Sequence, residues 1–121
     1  MPLPEPPPMG STPLPAGTYD GQVVIVTGSG TGLGKAIAVE FARLGAAVVV
    51  ASRSAEHRAA GVAAVEAAGG QALDVELDIR DAANVAAAFD TVEAALGPVD
   101  VLVNNAAGNF PAPAEDLSPN A

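Results

Sequence analysis

The chain has no cysteine and no tryptophan, a single histidine, and only five lysines and arginines among its 121 residues. Without cysteine there is no disulfide framework and no thiolate metal site, and one histidine rules out a histidine-rich one. Five cations against fourteen carboxylates leave a formal net charge of −9, which argues against non-specific nucleic-acid binding. No apolar run approaches the ~20 residues of a membrane-spanning helix. No basic residue precedes Lys35, so neither a secretory leader nor an arginine-rich transit peptide is legible. These absences predict a soluble, cytoplasmic chain with no metal, membrane or nucleic-acid partner. Three Phe and one Tyr supply all the aromatic bulk. Half the residues are hydrophobic all the same, so a core is affordable in Ala and Val, and the length allows one domain.

What is present is concentrated in Val23-Val24-Ile25-Val26-Thr27-Gly28-Ser29-Gly30-Thr31-Gly32-Leu33-Gly34. Four β-branched residues in a row read as a strand buried on both faces, as in a parallel sheet. Four glycines follow within seven positions, then a helix-period run through Ala36, Ile37, Val39, Phe41, Ala42 and Leu44. Strand, glycine turn and helix form the context in which backbone N–H groups at a helix start cradle a phosphate. The spacing Gly28-x-x-x-Gly32-x-Gly34 departs from the strict G-x-G-x-x-G, and a flexible loop is the competing reading.

Residues 1–17 hold Pro2, Pro4, Pro6, Pro7, Pro8, Pro13 and Pro15, the composition of an extended, disordered arm. From residue 18 onward strands and helices alternate. Strands are expected at about 22–27, 47–51, 72–77 and 99–103. Helices are expected at about 33–44 and 55–68, and from an Asp81 cap to Leu96, with Val85, Phe89, Val92 and Leu96 on one face. The pattern predicts an α/β fold with a doubly wound parallel sheet of strand order 3-2-1-4. Val101, Leu102 and Val103 are too apolar for an edge strand, so residues 18–121 read as the amino-terminal half of a dinucleotide-binding domain, cut after its fourth strand.

Three signatures stand together: Thr27-Gly28-x-x-x-Gly32-x-Gly34, Asp78-Ile79 closing strand three, and Asn104-Asn105-Ala106-Ala107-Gly108 closing strand four. This combination resembles the short-chain dehydrogenase/reductase family, with its NAD(P)-binding Rossmann fold. Ala51-Ser52-Arg53, the extra alanine at Ala107 and the following Asn109-Phe110 are similar to the 2,4-dienoyl-CoA reductases within it. The resemblance implies that Gly28, Ser29, Gly30, Thr31, Gly32 and Leu33 wrap the cofactor pyrophosphate. It implies that Asp78, with Ile79 beside it, hydrogen-bonds the adenine, and that Asn105 and Ala106 line the adenosine side. It places Arg53, Arg80, Phe110 and Ser118 against an acyl-CoA thioester and implies a homo-oligomeric parent acting in fatty-acid oxidation.

The residues themselves speak to the cofactor. Binding NAD asks for an acid after strand two, about 20 residues past the glycine loop. Here stands Ser52-Arg53-Ser54, with no carboxylate until Glu56. A guanidinium and hydroxyls suit a 2′-phosphate, which favours NADP(H), although a solvated loop arginine remains the plain reading. Arg80 is open to the same plain reading. His57 reads as a solvated surface histidine, and Asp74 and Glu76 as the outward face of an edge strand. The family's acid is a tyrosine with a lysine four residues on, beyond strand four; the dienoyl-CoA reductases depart from that pair but place their acid and lysine in the same region. The only tyrosine here is Tyr19 and the only lysine Lys35. No catalytic residue is expected in this chain, and alone it should not turn over. Two alternatives stand beside the dienoyl-CoA reading: a dehydrogenase or ketoreductase for another alcohol or oxoacyl substrate, and a non-catalytic dinucleotide-binding module.

Overall fold

The computed structural model describes residues 1–107. Residues 1–15 are exposed and form no helix or strand. The elements then follow as β1 (Val23–Thr27), α1 (Gly32–Arg43), β2 (Ala47–Ser52), α2 (Ala55–Ala67), β3 (Gln71–Glu76), α3 (Ala82–Leu96) and β4 (Val101–Val103). All neighbouring strands are parallel and the order is β3-β2-β1-β4, as the alternating pattern predicts. Val24 pairs with Val48 on one side and Val101 on the other, so β1 is central.

Helices cover both faces of this sheet, which is why β1 and β2 contain no polar alternation. Ile25, Val49, Ala51 and Val75 pack with Ala88 and Val92 of α3. Val24, Val26, Val48 and Val50 pack on the other face with Ala38 and Ala42 of α1 and Val65 of α2. Burying a valine side chain completely contributes on the order of 1.5–3 kcal/mol, and Val24, Val26, Val48, Val49 and Val50 are all fully buried.

Local chemistry sets the element ends. Gly45 takes φ +97°, the left-handed conformation that ends α1 and that a side chain would resist. The Asp81 carboxylate accepts from the N–H groups of Ala83 and Asn84 (3.0 and 3.1 Å) and starts α3 as expected. β4 is shorter than the expected span from Val99. The Asp100 backbone does bond Val23, but its carboxylate also takes the Val23 N–H (2.8 Å), so a side chain occupies the place of the first ladder bond. Leu102 lies half-exposed on this edge strand, while Val101 and Val103 pack against the core. Asp74 and Glu76 are both exposed. No helix among the described residues is long and apolar enough to cross a membrane.

Candidate cofactor site

The carboxyl ends of the four strands open onto a cavity of about 810 Å³. In an open parallel sheet that rim, where the order reverses beside β1, is where ligands bind. The size suits a large organic ligand rather than an ion. No group of acidic, histidine or cysteine side chains suited to a metal occurs among the described residues.

The floor is the turn from β1 into α1. Thr31 caps α1 in an extended conformation but makes no side-chain cap bond, and the first turn contains no acid. The leading N–H groups of the helix therefore have neither an intrahelical partner nor a resident anion, and their partial positive charge faces the cavity. Gly28 has φ +66°, and a Cβ there would press on Asn105 Nδ2 at 3.1 Å and Ala106 Cα at 3.2 Å. At Gly34 a Cβ would run into the Gly28 carbonyl and Asn105 Nδ2. These two glycines let the turn pack closely against the loop after β4, while Gly32, at φ +52° with nothing within 4 Å of an added Cβ, leaves bare backbone toward the open space, an arrangement that fits a pyrophosphate at the helix start.

Gly28, Thr31, Gly32 and Leu33 line the cavity as expected; Ser29 and Gly30 do not. The Ser29 side chain is fully buried, and its hydroxyl accepts from the Ala51 N–H (3.0 Å), tying the turn to β2. A Cβ on Gly30 would collide with the backbone of His57, 2.5 Å from its carbonyl carbon, so this glycine exists to let α2 approach. Gly61 repeats the device from the other side, its added Cβ falling 2.8 Å from the Ser29 carbonyl. These two residues of the glycine run hold the site together instead of facing it.

The back wall is stapled by Thr27, which is 5% exposed. Its hydroxyl accepts from the N–H groups of Asn105 (3.0 Å) and Ala106 (2.9 Å) and donates to the Val103 carbonyl (3.3 Å). The Asn105 amide in turn donates to the Thr27 and Gly28 carbonyls (2.9 and 3.3 Å). Asn105 and Ala106 thus line the cavity with their side-chain and backbone donors already committed to the β1 turn.

Arg53 stands exposed on the rim between Ser52 and Ser54, all three facing the cavity. His57, read from sequence as a surface residue, is exposed and joins the same wall. Across from them, Asp78, Ile79 and Arg80 follow β3. Asp78 and Arg80 meet in a bidentate pair, Nε to Oδ1 at 2.9 Å and Nη2 to Oδ2 at 2.7 Å. The Arg80 guanidinium and backbone N–H hold the Asp78 carboxyl far below its usual range, with the charge of Arg53 pulling the same way. The pairing raises the Arg80 pKa in return. Arg80, expected to reach toward substrate, lines the cavity while paired with Asp78, and the carboxylate keeps lone pairs for a second donor. Half-exposed Ile79 supplies the apolar surface beside it. Phe110 and Ser118 lie outside the described residues.

One contributor went unseen in the sequence. Arg58, in the first turn of α2, reaches back to the Ser52 and Arg53 carbonyls (2.9 and 3.0 Å) and pairs with Asp74 of β3. The exposed Asp74 was the available signal. Tyr19 and Lys35 are both absent from the cavity wall. Tyr19 stacks edge-on against Phe41, ring centroids 4.9 Å apart, beneath the first helix layer.

A family model described as short chain dehydrogenase matches residues 22–121. An uncharacterized oxidoreductase of Caenorhabditis elegans, F53C11.3, is 49% identical over 92% of this chain and 36% of its own length. A probable 2,4-dienoyl-CoA reductase of the same organism is 45% identical over 87% of this chain and 35% of its own. Among solved structures, a hydroxysteroid dehydrogenase from Escherichia coli superposes with a TM-score of 0.76 at 41% identity, covering 83% of this chain and 42% of its own. A metagenomic short-chain oxidoreductase in complex with NADP gives 0.75 at 41% identity, covering 84% and 47%. The chain spans about a third of the length of the curated relatives it matches. The four-stranded parallel sheet, the glycine cradle and these matches place it in one family: the chain belongs to the short-chain dehydrogenases.

Proposed function

We propose that this chain forms the cofactor half of an NADP(H)-dependent reductase that acts on an unsaturated acyl-CoA thioester such as a 2,4-dienoyl-CoA. The observation that carries the cofactor reading is Arg53. It is exposed at the carboxyl end of β2, where a carboxylate would serve NAD, and Ser52 and Ser54 flank it on the cavity wall. A guanidinium is complementary to a 2′-phosphate, and the Ser54 hydroxyl, which accepts from the His57 N–H, keeps its proton for one, whereas the Ser52 hydroxyl is given to the Ser54 carbonyl. The similar metagenomic structure is a complex with NADP.

The chain's own residues bind and orient. The free N–H groups opening α1 receive the pyrophosphate, the Asp78 carboxylate accepts from the adenine amino group, and the Thr27–Asn105 staple holds the adenosine wall in place. The reduced nicotinamide, when bound, supplies a hydride. The chain's one tyrosine and one lysine, Tyr19 and Lys35, do not line this cavity, so it holds no tyrosine–lysine pair to protonate the product, and the chain alone should not turn over.

The acyl-CoA reading is supported by the dienoyl-CoA reductase relative and by the Asn105-Ala106-Ala107-Gly108-Asn109-Phe110 segment. The similar hydroxysteroid dehydrogenase favours a second reading, a dehydrogenase of secondary alcohols on the same cofactor site. Two measurements separate these. Arg53→Asp should weaken NADPH binding by about tenfold or more and leave NADH at least as tight, because it removes one charge-assisted contact and restores the ribose acid. Unchanged discrimination removes Arg53 from the site. In a full-length protein carrying this sequence, consumption of NADPH with a dienoyl-CoA and not with 3-oxoacyl or steroid substrates supports the first reading. The reverse pattern supports the second.

A further inference from the structure

Arg53 has no hydrogen bond or ion pair of its own among the described residues, so nothing aims its side chain except its backbone. The turn around it is held by the Leu77 N–H on the Ser52 carbonyl (3.1 Å) and by the Ser52 hydroxyl and the Arg58 N–H on the Ser54 carbonyl (3.3 and 3.0 Å), but among the described residues the Arg53 carbonyl itself has one partner. The Arg58 guanidinium donates to the Ser52 carbonyl at 2.9 Å and to the Arg53 carbonyl at 3.0 Å, two consecutive acceptors at the point where the chain leaves β2. Its Nε is held in turn by Asp74 on the neighbouring strand. The Arg58 side chain is only 11% exposed against 50% for Asp74, and Arg58 takes no part in the cavity wall. A cation this enclosed, satisfied by a carboxylate and two carbonyls, fixes a turn; it does not meet a ligand. The five-donor guanidinium fork is what makes three simultaneous contacts from one side chain possible.

We propose that Arg58, braced by Asp74, is a positioning residue for cofactor discrimination: it presets the β2–α2 turn so that Arg53 faces the 2′-phosphate. The inference rests on the NADP(H) reading above and extends it to two residues that touch no cofactor. Preorganisation of this kind acts on affinity by removing the ordering cost at the moment of binding. It acts through Arg53, the one residue of the turn whose carbonyl Arg58 holds and whose side chain has the charge for a 2′-phosphate, while the glycine turn and Asp78 grip the rest of the dinucleotide. The effect therefore falls on NADPH and spares NADH.

The test measures NADPH and NADH dissociation constants by titration calorimetry on a full-length protein carrying this sequence, for wild type, Arg58→Lys, Asp74→Asn, Arg53→Gln and the Arg53→Gln/Arg58→Lys double variant. Arg58 serves both carbonyls with Nη1 and Asp74 with Nε, whereas lysine has a single nitrogen for all three acceptors, so Arg58→Lys should weaken NADPH about tenfold and NADH less than about twofold. Asp74→Asn, which leaves Arg58 in place without its brace, should weaken NADPH about threefold. With Arg53 already replaced, adding Arg58→Lys should change NADPH binding no further, since the two residues act as a unit. Equal losses for both dinucleotides, or losses that add in the double variant, overturn the proposal and leave Arg58 a structural residue. If Arg53→Gln itself leaves NADPH binding unchanged, the cofactor reading fails first and this inference with it. A wild-type chain that binds neither dinucleotide has the same consequence.

Discussion

Replacing Thr27 by Val keeps the shape of the side chain and deletes a hydroxyl that the structure uses to its full capacity. Oγ1 has one proton, given to Val103 O, and two lone pairs, taken by the N–H groups of Asn105 and Ala106. The two donors are not equally dependent on it. The Asn105 N–H also reaches the Val103 carbonyl at 3.0 Å, whereas Thr27 is the acceptor for Ala106. A partly buried N–H left without a partner costs about 1–3 kcal/mol, so Ala106 should lose about 2 kcal/mol of local protection and Asn105 well under half of that. In native-state hydrogen exchange this is an acceleration of about 30-fold at the Ala106 amide and about threefold at Asn105 in Thr27→Val. Thr27→Ser retains the hydroxyl and should keep both amides within about twofold of wild type. Because Asn105 and Ala106 line the cavity, on the proposed reading NADPH and NADH should weaken together, by about tenfold, in the Val variant only. An Ala106 amide that exchanges at the wild-type rate in Thr27→Val, or equally fast in Thr27→Ser, would refute the staple and with it the reason Asn105 stands where it does.

Gly30→Ala places a methyl 2.6 Å from His57 Cβ and closer still to its carbonyl oxygen, and backbone cannot step aside. Overpacking should cost about 1–3 kcal/mol or more, read as a drop in Tm, with α2 displaced from the glycine turn; an unchanged Tm would mean that α2 does not pack where the structure puts it. The Asp78 carboxyl, held low by Arg80, should remain ionised at pH 4 in an NMR titration, while Arg80→Ala should raise it toward the ordinary aspartate range but leave it below, because the backbone N–H of residue 80 and the charge of Arg53 remain. A group whose folded pKa is depressed lends stability that is present above its unfolded pKa and lost as pH falls through the folded one. The Asp78–Arg80 pair should thus support the fold from neutral pH down through about pH 4 and fail only in stronger acid. Loss of that support already between pH 6 and pH 5 would contradict the pairing.

The parts of this protein that sequence made visible share a physical cause. β1 and β2 are unbroken β-branched runs because helices bury both faces of the sheet, and the ends of helices are punctuated by Gly45, Asp81 and Gly97. Each of those signals is local, so the strand order and the rim of the cavity followed from them. The residues of the rim were legible too, because the cavity at the carboxyl ends of the strands is lined by whatever stands just after each strand: Arg53 after β2, Asp78 and Ile79 after β3, Asn105 after β4. What the chain did not show was which residues hold that rim in place. In a run of alternating glycines nothing local tells Gly28, which faces the cavity, from Gly30, which admits α2; the difference is the position of His57, 27 residues downstream. Arg58 was unreadable for the same reason, since its partner Asp74 is 16 residues away and becomes its neighbour only when β3 pairs with β2. Leu102 marks the limit from the other direction: its apolarity was legible, and the structure leaves it half-exposed on the sheet edge. Residues that meet the ligand sit at positions the fold class dictates, whereas residues that brace them are defined by contacts across crossovers. The Arg53–Arg58–Asp74 chain, which no motif contains, is where the contribution of that bracing layer can be measured.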